Sequence, residues 1–198
     1  MKKIGPRYRV RFKRKREGKT NYRHRLKLLR SKKPRLVARI SSKHVTAQII
    51  QAAPTGDTTL ASAHSKQLEK LGWKGHTSNT SAAYLVGLLC GYRAVKAGVK
   101  ECVFDMGMYA PIPQAKVFAV LKGALDGNLQ IPHGEGVLPG EDRVNGTHIS
   151  KYASKLKEDD PEAYKLRFSG YIARGLTPER MLEHFNTVKQ AITKQFSR

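Results

Sequence analysis

Acidic residues are nearly missing from the first 35 positions of this 198-residue chain, where Glu17 stands alone against 17 lysines and arginines. Cysteine is scarce too. Cys90 and Cys102 are the two present, with no CxxC pair. That excludes a disulfide framework and reads as two small buried hydrophobes in a reducing compartment. The longest uncharged helical stretch, residues 77–92, runs into Arg93 and Lys96, short of the roughly 20 apolar residues that a membrane span needs. The N-terminus is basic throughout and offers no apolar centre for a secretory leader. None of the seven histidines pairs with another His or Cys at metal-ligand spacing, and GxSxG, HExxH, phosphate-loop and GxGxxG patterns are absent. The expectation is a soluble intracellular protein without a metal or cofactor.

What is present is charge, and it is unevenly placed. Of the formal net charge of +23, the 163 residues after position 35 supply 21 basic and 14 acidic side chains. The remaining +16 sits on the first 35 positions, all but Arg35 on an N-terminal arm, residues 1–34, which repels itself and needs a polyanion to neutralise it. Nucleic acid is the first candidate, because each phosphate met by Lys or Arg releases condensed counterions. In Arg7-Tyr8-Arg9-Val10-Arg11-Phe12-Lys13, basic and apolar residues alternate at the period of an extended chain. Gly18 breaks the segment. A short helix is predicted from Thr20 as N-cap, with Tyr22, Leu26 and Leu29 as its apolar stripe and Arg23, Arg25, Lys27 and Arg30 around it. Pro34 ends the arm. A disordered tail or a nuclear import signal would need neither the interleaved aromatics nor the stripe, so ordered contact with RNA or DNA is the preferred reading.

The remainder predicts an α/β fold with a small mixed sheet. Within a core of residues 35–131, alternation marks strands at 36–40 and 45–49, joined by the Ser42-Lys43 hairpin connection. Pro54-Thr55-Gly56-Asp57 is a turn, followed by a strand at 58–63, so the three form an antiparallel meander. A helix over 80–97, closed by Gly98, a strand at 101–105, a helix over 113–125 and a strand at 129–131 imply parallel crossovers. Ala83, Gly87 and Gly91, four apart, read as close packing of the long helix on the sheet. Residues 132–198, with 11 basic and 9 acidic side chains, form a helical extension. Ile149, Tyr152, Ala153 and Leu156 mark one helix, and Asp160-Pro161-Glu162 caps a second. Thr177-Pro178-Glu179 starts a third with Met181, Phe185, Val188, Ile192 and Phe196 buried.

A search for catalytic chemistry yields little. Asp105, at a strand end before Gly107, is the best candidate, and Asp57 and Asp126 are conceivable metal-binding companions in a nuclease. Turn chemistry or a helix cap explains Asp105 better, a turn explains Asp57 and a helix end explains Asp126. No positioned acid–base or metal set can be named, so an enzyme is not expected. Trp73, in the exposed-looking stretch 65–75 with Lys66, Lys70 and Lys74, reads as a core residue in preference to a base-stacking one.

The run from Arg7-Tyr8-Arg9-Val10 through Arg14-Lys15-Arg16-Glu17-Gly18-Lys19-Thr20 resembles the large-subunit ribosomal protein family numbered eighteen. Tyr22, Arg25-Leu26-Lys27-Leu28-Leu29, Lys33-Pro34-Arg35-Leu36-Val37, Ser41, Lys43-His44, Gln48 and Ala61-Ser62-Ala63 continue the likeness. Trp73-Lys74-Gly75, Asn79-Thr80, Phe104-Asp105 and Phe168-Ser169-Gly170-Tyr171 are similar to its longer archaeal and eukaryotic type. One departure is Met106, where the shorter bacterial type has an arginine whose role cannot be carried over. The resemblance implies a cytoplasmic structural protein that binds 5S rRNA and attaches it to the large, 23S-type rRNA in the central protuberance, beside ribosomal protein number five. Expected on phosphates are Arg7, Arg9, Arg11, Lys13, Arg14, Lys15, Arg16, Lys19, Arg23, Arg25 and Lys27. Tyr8, Phe12 and Tyr22 are expected to stack or wedge, and Arg35, Arg39, Lys43 and His44 to extend the surface on the polar side of the first hairpin. RNA shape, loops and 2′-hydroxyls would supply specificity. An RNA-processing enzyme or its accessory subunit, and a DNA-binding protein, are the alternatives.

Overall fold

The computed structural model describes residues 5–196. Residues 1–4 of the predicted arm and 197–198 at the end of the predicted helical extension lie outside the described residues. Alternation does produce the expected meander. β1 (Arg35–Ile40), β2 (Val45–Gln51) and β3 (Thr58–His64) pair antiparallel in turn, and β4 (Val103–Asp105) adds parallel to β1. The sheet order is β3-β2-β1-β4. Period two then sorts the side chains onto two faces. Leu36, Ala38, Val45, Ala47, Ile49, Ala61 and Ala63 form a back face that is buried throughout. Arg35, Val37 and Arg39 stand on the front, paired with Ile50, Gln48 and Thr46.

The back face is covered by α4 (Thr80–Lys96), which Asn79 caps by accepting the Ala82 amide at 2.7 Å. Against it lies α5 (Lys116–Asp126). The glycines of α4 serve this helix pair rather than the sheet, which corrects the expected partner. A Cβ on Gly87 would fall 2.1 Å from the Val120 carbonyl oxygen, one on Gly123 2.0 Å from that of Tyr84, and one on Gly91 2.9 Å from that of Ala124. The backbones of α4 and α5 touch, so there is no room for a side chain between them.

Other predicted boundaries shift, and the strand predicted at 101–105 starts at Val103. The second helix begins at Lys116, not near 113, because Gln114 takes φ +60 and its amide donates to the Val137 carbonyl. Residues 129–131 make a single parallel bridge, Glu101 with Gln130, instead of a strand. Asn128 at φ +67 and Pro132, which lacks an N–H, bracket a segment too short to extend the ladder. Cys90 and Cys102 are free and buried, and burial pushes both thiols up to about 12. Among the described residues, no helix is long and apolar enough to cross a membrane.

The C-terminal residues form α6 (Glu141–Asn145), α7 (Thr147–Asp159), α8 (Pro161–Arg167), α9 (Ser169–Ile172), a 3-10 turn at Pro178–Arg180 and α10 (Met181–Phe196). Asp160 caps α8 as expected, accepting the amides of Glu162 and Ala163. Ala153, Tyr164 and Phe168 make a small separate cluster, while Tyr152 is 44% exposed and so leaves the predicted stripe of α7. Met181, Phe185, Val188 and Ile192 of α10 are buried in the main core, with the Phe185 ring against Tyr84 and Phe196 stacked on Tyr92. Trp73 is a core residue, 3% exposed, with the His184 ring stacked on it and its indole N–H donated to the His76 carbonyl. The stretch around it is not exposed as a whole: Ser65, which precedes α3 (Lys66–Glu69), and Leu68 within it are fully buried.

Two outcomes follow for stability. Gly87→Ala and Gly123→Ala gain helix propensity but force the α4 and α5 backbones apart. We expect a net loss of roughly 1–3 kcal/mol in urea unfolding, whereas Gly134→Ala, which meets nothing within 4 Å, changes stability by less than about 0.5 kcal/mol. The second concerns His184, whose Nε2 accepts the Lys74 amide at 3.0 Å and must therefore be neutral. Burial, and then the Lys74 charge, hold its pKa below the usual 6.5. A depressed histidine contributes stability above its unfolded pKa and loses it as pH falls. Fluorescence of Trp73, the single tryptophan, should report loosening of α10 as the pH drops from about 7 to about 5, and His184→Gln should blunt that change.

Candidate nucleic-acid interface

The arm is laid before the front of the sheet. Every residue from 5 to 19 is exposed. Residues 7–12 are in neither helix nor strand, and Tyr8, Val10 and Phe12 are 54%, 66% and 71% exposed. The alternation predicted there thus leaves both edges of the segment accessible, with Arg7, Arg9 and Arg11 between the apolar side chains. Lys13, Arg14, Lys15 and Arg16 form one helical turn, α1 (Lys13–Arg16), with none of its residues buried. The single acid beyond it, Glu17, pairs with Lys19 at 2.9 Å. Gly18 turns the chain at φ +66.

The second arm helix, α2 (Tyr22–Leu29), starts one residue later than predicted. Asn21 is the cap, accepting the His24 amide, because the Thr20 hydroxyl is engaged by Arg14 Nε at 2.9 Å. Its docked face also differs. Leu26 is 57% exposed, and the half-buried positions include Arg25, Leu28 and Leu29. The cause is electrostatic: Arg25 Nη2 reaches Asp57 Oδ1 at 2.8 Å, and that contact sets the rotation of the helix. Tyr22 meets the Phe12 ring at 5.1 Å, which joins the two halves of the arm. Arg23 and Lys27 remain exposed.

Arg35 differs from its neighbours on this surface. Expected on the RNA-facing surface, it is 4% exposed. Its Nη1 donates to Asp105 Oδ2 at 2.6 Å and its Nη2 to Asp57 Oδ2 at 2.8 Å. Both Nη atoms are committed to carboxylates, and Nε is buried without a partner, so the guanidinium is held within the structure. Asp57 accordingly does more than form a turn: it receives Arg25 from the arm on one oxygen and Arg35 from the sheet on the other. Asp105 also accepts the Gly107 amide at 2.8 Å, the local turn chemistry expected of it. Gly107, at φ +68, lies under the Arg39 guanidinium, where a Cβ would fall 2.7 Å from Nη1. Asp126 ends α5 and accepts the Tyr84 hydroxyl.

The arm and the sheet enclose a cleft of 260 Å³ that brings Arg14, Lys19, Arg25, Arg35 and Arg39 together with Asp57 and Asp105. Lys43 is exposed at the hairpin beyond it. His44 is half-buried, its Nδ1 3.1 Å from the Ser65 hydroxyl and its ring 4.9 Å from that of His64. Burial, with the charges of His44 and Lys66, holds His64 below the usual histidine range. The pairing of Asp57 and Asp105 with arginines was the part of the site missed in the sequence. The available signal was an arginine at the start of the first predicted strand, with one acid at the turn before the third strand and another at the end of the strand predicted at 101–105.

The fold and this surface define a class: a basic α/β protein built to present an arm of charge in front of a sheet. The chain belongs to a family of large-subunit ribosomal proteins. The family model described as "Ribosomal large subunit proteins 60S L5, and 50S L18" matches residues 6–100. The large ribosomal subunit protein uL18 of Thermofilum pendens is 55% identical over 188 residues, covering 95% of this chain and 96% of the relative. The protein is therefore a structural component of the large ribosomal subunit and acts in translation.

One consequence for stability follows from the buried pair. Asp105→Ala leaves the buried Arg35 with Asp57 as its remaining carboxylate and with Nη1 unpaired, and should cost about 1–3 kcal/mol, read as a lower urea midpoint.

Proposed function

We propose that this protein binds 5S rRNA and attaches it to the large 23S-type rRNA in the central protuberance, next to ribosomal protein number five. The single observation that carries this reading is the arm: from residue 5 to residue 19 it is exposed throughout and holds one acid. On this reading Arg7, Arg9, Arg11, Lys13, Arg14, Lys15, Arg16, Lys19, Arg23 and Lys27 neutralise phosphates. Arg39 and Lys43 continue the track along β1 to the β1–β2 hairpin. Tyr8 and Phe12, exposed and flanked by cations, stack on unpaired bases, and Tyr22 supports Phe12. Arg25 and His44 stand at the margin, since each already has a protein partner. The physics favours RNA loops and backbone shape over base reading in a duplex, because the A-form major groove does not admit side chains. Family membership supports a structural role in place of a catalytic one.

Deleting residues 1–34 should weaken binding of a 5S rRNA transcript strongly and flatten its salt dependence. Log affinity falls by about 0.7–0.9 per phosphate contact for each decade of salt, so replacing Arg7, Arg9 and Arg11 by Gln lowers the slope by about two to three. A truncated protein with unchanged affinity and slope would sink the arm-based mechanism, and duplex DNA competing as well as 5S rRNA would favour a DNA-binding protein. Footprints of the bound protein on both 5S and large-subunit RNA are the expected mark of a bridge.

A further inference from the structure

Asp57 is an acid inside the most basic region of a protein that meets a polyanion. We infer that Asp57 is a positioning residue that strengthens RNA binding despite its negative charge, because it holds the arm in its working orientation. The inference rests on the reading above that the arm contacts RNA.

The attachment of the arm gives the reason. α2 has eight residues, none of them buried, and Leu26 points to solvent. A helix of that length is not stable alone in water, and little apolar surface glues it down. Among the described residues, two ion pairs tie the arm to the body of the protein: Lys33 with Glu101 and Arg25 with Asp57. Both side chains of the first are 50% exposed, and such surface pairs contribute little. The second is different. Asp57 is itself held by Arg35, which is buried and anchored on Asp105, so the carboxylate meeting Arg25 is already fixed in place. The chain Arg25–Asp57–Arg35–Asp105 thus carries the position of the arm into the sheet. An arm held in place does not have to be ordered when RNA arrives, whereas a free arm must be.

Charge and positioning predict opposite signs. By Coulomb's law, removing an acid beside a cationic track tightens binding of a polyanion. If Asp57 positions the arm, removing it loosens binding. The test uses full-length proteins and a 5S rRNA transcript, with affinity measured across salt concentrations. Asp57→Asn should bind about tenfold more weakly, a coupling within the usual range for contacting residues, with a shallower salt slope as arm contacts are lost. Glu17→Gln, which removes the same charge from an exposed pair outside the chain of contacts, should bind as tightly as the parent or more tightly. Arg25→Gln should weaken binding, and the double variant, whose net charge equals the parent's, should stay as weak as either single variant. Asp57→Glu should restore part of the affinity. Should Asp57→Asn unfold, judged by Trp73 fluorescence, Arg25→Gln and its salt slope carry the test from the arm's side. A parent protein that does not bind 5S rRNA overturns the underlying reading. Normal parent binding, with Asp57→Asn tighter than the parent and the double variant at the parent level, overturns the positioning role alone.

Discussion

Arg35 is the residue on which the front of this molecule depends. A guanidinium removed from water is tolerated when carboxylates surround it with good geometry. Here those carboxylates come from opposite sides of β1. Asp105 ends β4 on one flank, and Asp57 follows the β2–β3 turn beyond the other. Satisfying one buried charge therefore fixes the parallel strand, the turn and the arm helix with respect to each other. It also divides the basic residues into two groups. Arg35 and Arg25 are engaged by buried or half-buried carboxylates and Lys19 and Lys33 by surface ones, while Arg7, Arg9, Arg11, Arg23 and Lys27 are exposed.

The back of the sheet obeys a different constraint, that of volume. α4 is buried along most of its length, and α5 approaches it until backbone touches backbone at Gly87, Gly91 and Gly123. Glycine within a helix ordinarily costs stability, and here that cost is offset by a contact no side chain permits. α10 then covers what α4 leaves open, with Phe185 on Tyr84 and Phe196 on Tyr92. The C-terminal helix is in this sense part of the same core as the sheet, while the cluster around Phe168 remains apart. A rigid apolar back gives the polar front a fixed frame from which to hold the arm.

Much of this was legible along the chain. The meander followed from alternation in residues 36–40 and 45–49, and the cap of α8 from Asp160-Pro161. The buried face of α10 followed from the spacing of Met181, Phe185, Val188 and Ile192, and the core position of Trp73 was also expected. All of these rest on local rules, in which a residue's own neighbours in the sequence decide its conformation or face. The failures were of another kind. Leu26 has the right spacing for a stripe, yet Arg25 turns α2 toward Asp57, 32 positions away. Gly87 signals a close approach without naming the partner. Residues 129–131 have strand composition but too little free length between Asn128 and Pro132.

The sequence by itself determined that the charge lies on an arm, that the arm is interrupted at Gly18, and that a mixed α/β core follows it. Composition and periodicity are properties of consecutive residues, and no fold is needed to see them. Only the tertiary structure decided which cations are free. Arg35 and Arg39 occupy equivalent positions on one face of one strand, but carboxylates from two other segments close over Arg35 and leave Arg39 in the open. Burial of a charge is set by what packs on it from elsewhere in the chain, and that information is not carried by its neighbours in sequence.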